Sequence, residues 1–131
     1  MIESSLDNPE PSGAPIAANE NERLTKLEYY NIMDSISEES FDRITRSISI
    51  LLNVPMVLIS LVDGSRQWFK SRVGVDATET PLEVSFCAPA ILSDEVMIIP
   101  DAKTDKRFMN NPLVTGNPHI RFYAGAPLRT N

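Results

Sequence analysis

The chain has 131 residues, 42% apolar and 23% charged, which is the size and composition of one ordinary globular domain. Twelve Lys and Arg against 18 Asp and Glu leave a net charge of −6, without the basic cluster that nucleic-acid backbones demand. No stretch approaches the ~18 apolar residues of a membrane-spanning helix. One cysteine forms no intrachain disulfide, and one cysteine with one histidine builds no closed zinc site.

Residues 1–20 hold Glu3, Asp7, Glu10 and Glu20 and no base, so residues 21–131 keep 14 acids, 12 bases and a net charge of only −2. Pro9, Pro11, Gly13 and Pro15 lie in the same opening stretch, which is poor in large apolar residues. Residues 1–18 are therefore expected to form a disordered acidic tail, and residues 19–131 the folded domain. The opening also lacks the basic start and apolar run of a secretory signal, so a reducing, cytoplasmic setting is expected.

Leu24, Leu27, Tyr30 and Met33 recur at near-helical spacing and predict a helix over 20–33. Ser37 is a suitable cap for a second helix, with Glu38 and Glu39 in its first turn. Phe41, Ile44, Ile48, Leu51 and Leu52 form its apolar stripe, and Asn53 with Pro55 ends it.

The period then changes. Residues 56–62 (MVLISLV) are apolar on both parities and predict a central strand covered on both faces. Asp63-Gly64 predicts a hairpin turn, and the mixed polarity of 67–73 (QWFKSRV) suits a returning strand at or near an edge. Residues 74–84 read as a loop. A short helix after Ser85 has Pro89 inside it and should start late or be distorted. Strands are predicted at 95–99 and 119–128, with turns between them. In the last, Ile120, Phe122, Ala124 and Ala126 share one parity, and Arg121, Tyr123 and Gly125 the other. The pattern is that of an α+β domain with an antiparallel sheet.

The runs RLTKLEYYNIMDS, FDRITRSISILLNVPMVLISLVDGSRQWFKSRVG, SFC and VMIIPDAKTDKRFMNNPLVTGNPHIRFYAGAPL, from about Glu22 to Leu128, resemble GAF domains. The resemblance is closest to the bacterial sensory subgroup found ahead of histidine kinases and diguanylate cyclases. It implies a central antiparallel sheet, N-terminal helices on one face and a ligand pocket on the other. It also implies a non-catalytic sensory module that binds a small molecule or partner and biases a downstream kinase or cyclase. Pairing as a homodimer through the helices at 20–52 belongs to the same expectation. The pocket residues it suggests are Phe69, Phe86, Cys87, Arg121 and Tyr123. By strand alternation, only one of Trp68 and Phe69 can face that pocket. The Ile120/Phe122/Ala124 parity is assigned to the helix layer and the Arg121/Tyr123 parity to the pocket. The family pattern continues beyond Leu128 with another apolar strand and a helix, so an exposed sheet edge beside 119–128 is expected.

Cys87 admits a bilin attachment, a redox role or plain burial as a small hydrophobe. Its context, Ser85-Phe86-Cys87-Ala88-Pro89, matches neither bilin-binding pattern, and methionine sulfoxide reduction would require a resolving cysteine. Burial is the preferred reading. The alternatives kept open are a thiol-dependent redox enzyme or sensor using Cys87, and a ligand-free dimerisation scaffold. His119 reads as a surface residue at a strand start, and Asp101, Asp105 and Arg107 as a structural turn. The Asn-Lys-x-x-x-Phe-x-x-x-Asp-Glu signature of cyclic-nucleotide GAF domains is absent, as is a glycine-rich phosphate loop. No cofactor and no metal are expected.

Overall fold

The computed structural model describes residues 18–130, so the predicted tail, Ala18 apart, lies outside the described residues. Helix α1 (Glu20–Tyr30) stops three residues before its predicted end. The reason is local: Asn31 turns left-handed at φ 49° and its N–H bonds the Glu28 carbonyl, and Asp34 is left-handed as well. No residue of α1 is fully buried. Arg23 anchors it, pairing with Glu20 at 2.7 Å and donating from Nη1 to the Val62 carbonyl.

Helix α2 (Glu39–Leu52) begins from extended Glu38 instead of the expected Ser37 cap. It ends as predicted, with Asn53 left-handed at φ 51°. The side it turns to the sheet is polar. Thr45 is its one buried residue, with Oγ1 2.8 Å from Ser71 Oγ, and Ser71 Oγ donates to Asp42 at 2.6 Å. The predicted stripe instead leaves Ile44 half-exposed and Leu51 81% exposed. Periodicity located this apolar face correctly but does not tell which face the sheet receives.

Strands β1 (Val57–Val62) and β2 (Arg66–Val73) form the expected hairpin. Asp63 Oδ1 accepts from the backbone N–H groups of Ser65 and Arg66, both at 2.8 Å, which closes the turn. Gly74 follows at φ 75°, where a Cβ would collide with the Pro55 carbonyl, so glycine is required. Strand β3 (Glu79–Pro81) emerges from the predicted loop 74–84 and pairs with β2, followed by a 3₁₀ turn at Leu82–Val84.

The sheet order β1-β2-β3 reverses one expectation. Among the described residues strand β2 is the middle strand, and apolar β1 is paired on one side. The polar residues of β2 read as a surface signal, yet Gln67, Lys70 and Ser71 are buried because side chains from distant segments satisfy each of them. A register shift between Ile59 and Ser60 leaves Lys70 unpaired in the ladder and lets both Lys70 and Ser71 reach α2 and its approach.

Helix α3 (Cys87–Ala90) is a single turn containing Pro89. Strands β4 (Met97–Ile99) and β5 (Tyr123–Gly125) form a separate antiparallel pair, much shorter than the strands predicted at 95–99 and 119–128. Between them, α4 (Pro112–Thr115) is capped by Asn111 Oδ1, which accepts from Leu113 N–H at 2.9 Å. The core gathers Phe86, Ile99, Ala102, Phe108 and Val114, with Tyr123 and Ile120 packed against it. The helix-layer face predicted for Ile120, Phe122 and Ala124 is only partly realised, whereas Tyr123 lies on its predicted side with Phe86 and Cys87. Tyr123 turns to the core, while Phe122 is 58% exposed and Ala124, opposite Ile98, faces outward. Ile120 alone of its predicted face joins the core. The domain is α+β with antiparallel sheets, as predicted.

Asp101, Asp105 and Arg107 are structural. Asp101 accepts from Lys103 N–H at 3.0 Å and Asp105 from Arg107 N–H at 2.9 Å. Arg121 grips Asp101 through two bonds of 2.8 and 2.7 Å, which lower the Asp101 pKa from 3.8 to about 2. Arg66 lowers Asp34, and Arg107 lowers Asp105, in the same way. A carboxylate with a depressed folded pKa adds stability above its unfolded value and loses it as pH falls through the folded one. The melting temperature is therefore expected to drop as pH falls from about 4 to 2, and Asp101→Asn should flatten that drop. A melting temperature independent of pH across this range would contradict these pairings.

Candidate functional site

The two sheets meet at Cys87. Ser85 precedes α3, and its Oγ accepts from Ala88 N–H at 3.0 Å while donating to Gln67 Oε1. Gln67, buried in β2, spends its amide donors on Ser60 Oγ at 3.0 Å and Cys87 Sγ at 3.1 Å. From the other sheet, Tyr123 Oη reaches Cys87 Sγ at 3.3 Å. One thiol thus joins β1, β2 and β5 through α3. Beneath it, the Phe86 ring stacks on Phe108 at 4.3 Å and tilts against Tyr123 at 5.2 Å.

Three of the five predicted pocket residues come together: Phe86, Cys87 and Tyr123. Phe69 is buried in β2 on the strand parity of Gln67, with its N–H bonded to Thr78 O at 3.0 Å. Arg121 precedes β5 and lies on the surface with Asp101, away from Tyr123. Sequence reasoning missed Ser60, Gln67 and Ser85. The available signal was a glutamine and a serine set in apolar surroundings, where burial demands partners. His119 is exposed and left-handed at φ 59°, outside β5.

The electrostatics are those of a neutral hydrogen-bonding cluster. Burial pushes the Cys87 thiol pKa up, against the opposing pull of its bonds with Tyr123, Ser60 and Gln67. Burial raises the Tyr123 phenol too, and the neighbouring thiol adds to it. Both shifts favour the neutral forms, and in those forms the two groups offer hydrogen-bond donors and acceptors. Two shallow concavities run along α1 at residues 18–22 and 21–29, and neither is lined by this cluster. Among the described residues no three His, Cys, Asp or Glu side chains converge as a metal site.

Residues 37–131 match the model of the GAF domain family. The chain belongs to that family. This GAF domain is also 40% identical over 116 residues to a cyclic di-GMP phosphodiesterase of Pseudomonas aeruginosa. The alignment covers 88% of the chain and 20% of the relative, so the chain spans about one fifth of that protein's length. The α+β architecture and the family expected from the motifs agree with this match. No helix among the described residues is long and apolar enough to cross a membrane.

Proposed function

We propose that this GAF domain is a non-catalytic sensory module. It binds a small molecule or partner segment at the Cys87–Tyr123 junction and biases an attached effector. The observation that carries the reading is the junction itself, where one hydrogen-bonded cluster links both sheets. A ligand that competes for the Tyr123 hydroxyl or the Gln67 amide would favour one relation of the sheets over another, which is the differential affinity a switch requires. Strand β2 carries Gln67 toward the junction and Lys70 and Ser71 toward α2 and its approach, so it offers a short route to the helices. The output that fits is an effector of cyclic di-GMP turnover, by similarity to the Pseudomonas relative, in preference to a histidine kinase. The module acts as a homodimer whose contacts include the helices at 20–52, where Ile44, Ile48 and Leu51 stand exposed.

Native mass spectrometry of freshly purified protein tests retention of a ligand. A bound species lost on Tyr123→Phe supports the junction. Retention unchanged by both Tyr123→Phe and Gln67→Ala places the ligand elsewhere. The redox alternative is separated by Cys87→Ala. This variant is expected to cost about 1–2 kcal/mol, from the unpaired Tyr123 hydroxyl and Gln67 donor, and to leave ligand retention in place. Loss of response to peroxide in Cys87→Ala, with wild-type protein responding, would favour the thiol reading instead.

A further inference from the structure

Residues 31–38 connect α1 to α2, and 35–38 belong to neither helix nor strand. Asp34 is left-handed at φ 60°, a conformation sparsely populated outside glycine that persists where surrounding contacts enforce it. Strand β2 supplies those contacts with two cations. Arg66 grips the Asp34 carboxylate with both ends of its fork, at 2.9 and 2.6 Å. Lys70, left out of the ladder by the register shift, donates to Ser35 Oγ at 2.8 Å and Ile36 O at 2.6 Å, and pairs with Glu38 Oε2 at 2.6 Å. Arg66 also meets Asp63 and Glu79, at 3.4 and 3.3 Å, so it keeps its place on the sheet if Asp34 leaves.

We infer that the connector at 31–38 is the output element of the proposed switch, clipped to β2 on either side of Gln67 and released when β2 shifts there. Gln67 holds the junction from one face of the strand, through Ser60 at 3.0 Å, Cys87 at 3.1 Å and Ser85. Alternation along β2 places Arg66 and Lys70 on the opposite face, one residue before Gln67 and three after it. A rotation of the strand at Gln67 therefore carries both cations in the same sense. The Arg66 fork tolerates little of it, because its two parallel bonds fix the plane of the pair. The connector in turn sets where α1 lies against α2, so its release alters the helical surface at 20–52. This role rests on the reading of the Cys87–Tyr123 junction as a ligand site. The coupling from Gln67 to the connector is built into the chain without a ligand, and it acts equally in both directions.

Competitive acylation of the four lysines of the 131-residue chain by an activated ester, read by mass spectrometry, tests the coupling. Lys26, Lys103 and Lys106 are exposed and serve as internal standards. Buried Lys70 is expected to react at least about a hundredfold more slowly than they do. Asp34→Asn weakens the first clip while keeping a residue that tolerates the left-handed turn, and should speed Lys70 acylation about tenfold. Gln67→Met, which stands in for withdrawal of the amide by a ligand, should speed it by about the same factor. Ser60→Ala removes one acceptor of that amide, should give a rise of about threefold, and serves if Gln67→Met fails to fold. Val114→Ala, in the other buried cluster, controls for general loosening and should leave the rate unchanged. An unchanged rate in Asp34→Asn overturns the joint opening of the two clips. A rise in Asp34→Asn with none in Gln67→Met or Ser60→Ala separates the connector from the junction and overturns the output role. A rise in Val114→Ala as large as in Gln67→Met overturns it too, because the opening is then global. None of these rates involves a ligand, so a failure here leaves the ligand reading standing, and the absence of a retained ligand leaves the coupling standing.

Discussion

Phe86→Ala is expected to remove about 4 kcal/mol of unfolding free energy, the largest effect of any single truncation considered. The ring is 5% exposed, stacks on Phe108 and meets Tyr123. Alanine loses the transfer free energy of the ring and leaves a cavity under α3 that its neighbours fill only in part. Those neighbours are few: Ile99, Ala102, Phe108 and Val114 complete the buried cluster. The β4–β5 pair depends on that cluster, since a two-stranded sheet is marginal alone. Urea denaturation followed by circular dichroism should show a lower midpoint with an unchanged slope. Phe122→Ala is the control. That ring is mostly exposed, and its loss should cost no more than about 0.5 kcal/mol. Equal effects of the two substitutions would mean that the packing face of this segment is misassigned.

Lys70→Ala is expected to cost about 3 kcal/mol. The Lys70 side chain is fully buried in the middle strand. Its Nζ donates to Ser35 Oγ at 2.8 Å and Ile36 O at 2.6 Å, and lies 2.6 Å from Glu38 Oε2. The ammonium therefore ties the α1–α2 connection to the sheet. The ion pair is the lesser part, because Glu38 is half-exposed and solvent screens it. Glu38→Gln should accordingly cost less than about 1 kcal/mol. Lys70→Met keeps the apolar stem and should recover part of the loss. Ser35 retains its bond to Ile32 O, so the Ile36 carbonyl is the group left without its partner. Chemical denaturation of the three variants checks the ranking, and a larger effect for Glu38→Gln than for Lys70→Ala would refute it. Both substitutions test links between the junction and the helices, so their effect on ligand retention also bears on the proposed switch.

Much of the architecture was legible because its signals are local. Asn53 and Pro55 ended α2 where the sequence placed the end, and Asp63-Gly64 closed the hairpin through an Asp side chain two and three residues from its partners. The turns at Asp101 and Asp105 were equally local. Strand β3 was illegible because three residues carry no period. The central place of β2 was illegible for a different reason. Burial of Gln67, Lys70 and Ser71 depends on partners 7 to 35 residues away, so polarity along the strand misreports its position.

The amino-acid sequence by itself determined the family, the helix–hairpin–short-strand order and the identity of Phe86, Cys87 and Tyr123 as residues worth bringing together. Alternation, caps and turn chemistry act over a few residues and survive without a tertiary context. Only the tertiary structure decided that Gln67 and Ser85 complete the cluster and that Arg121 leaves it for Asp101. It also decided that α2 meets the sheet through Thr45 and that polar β2 lies between β1 and β3. Each of these turns on which buried polar group finds which distant partner, and that choice is made by packing.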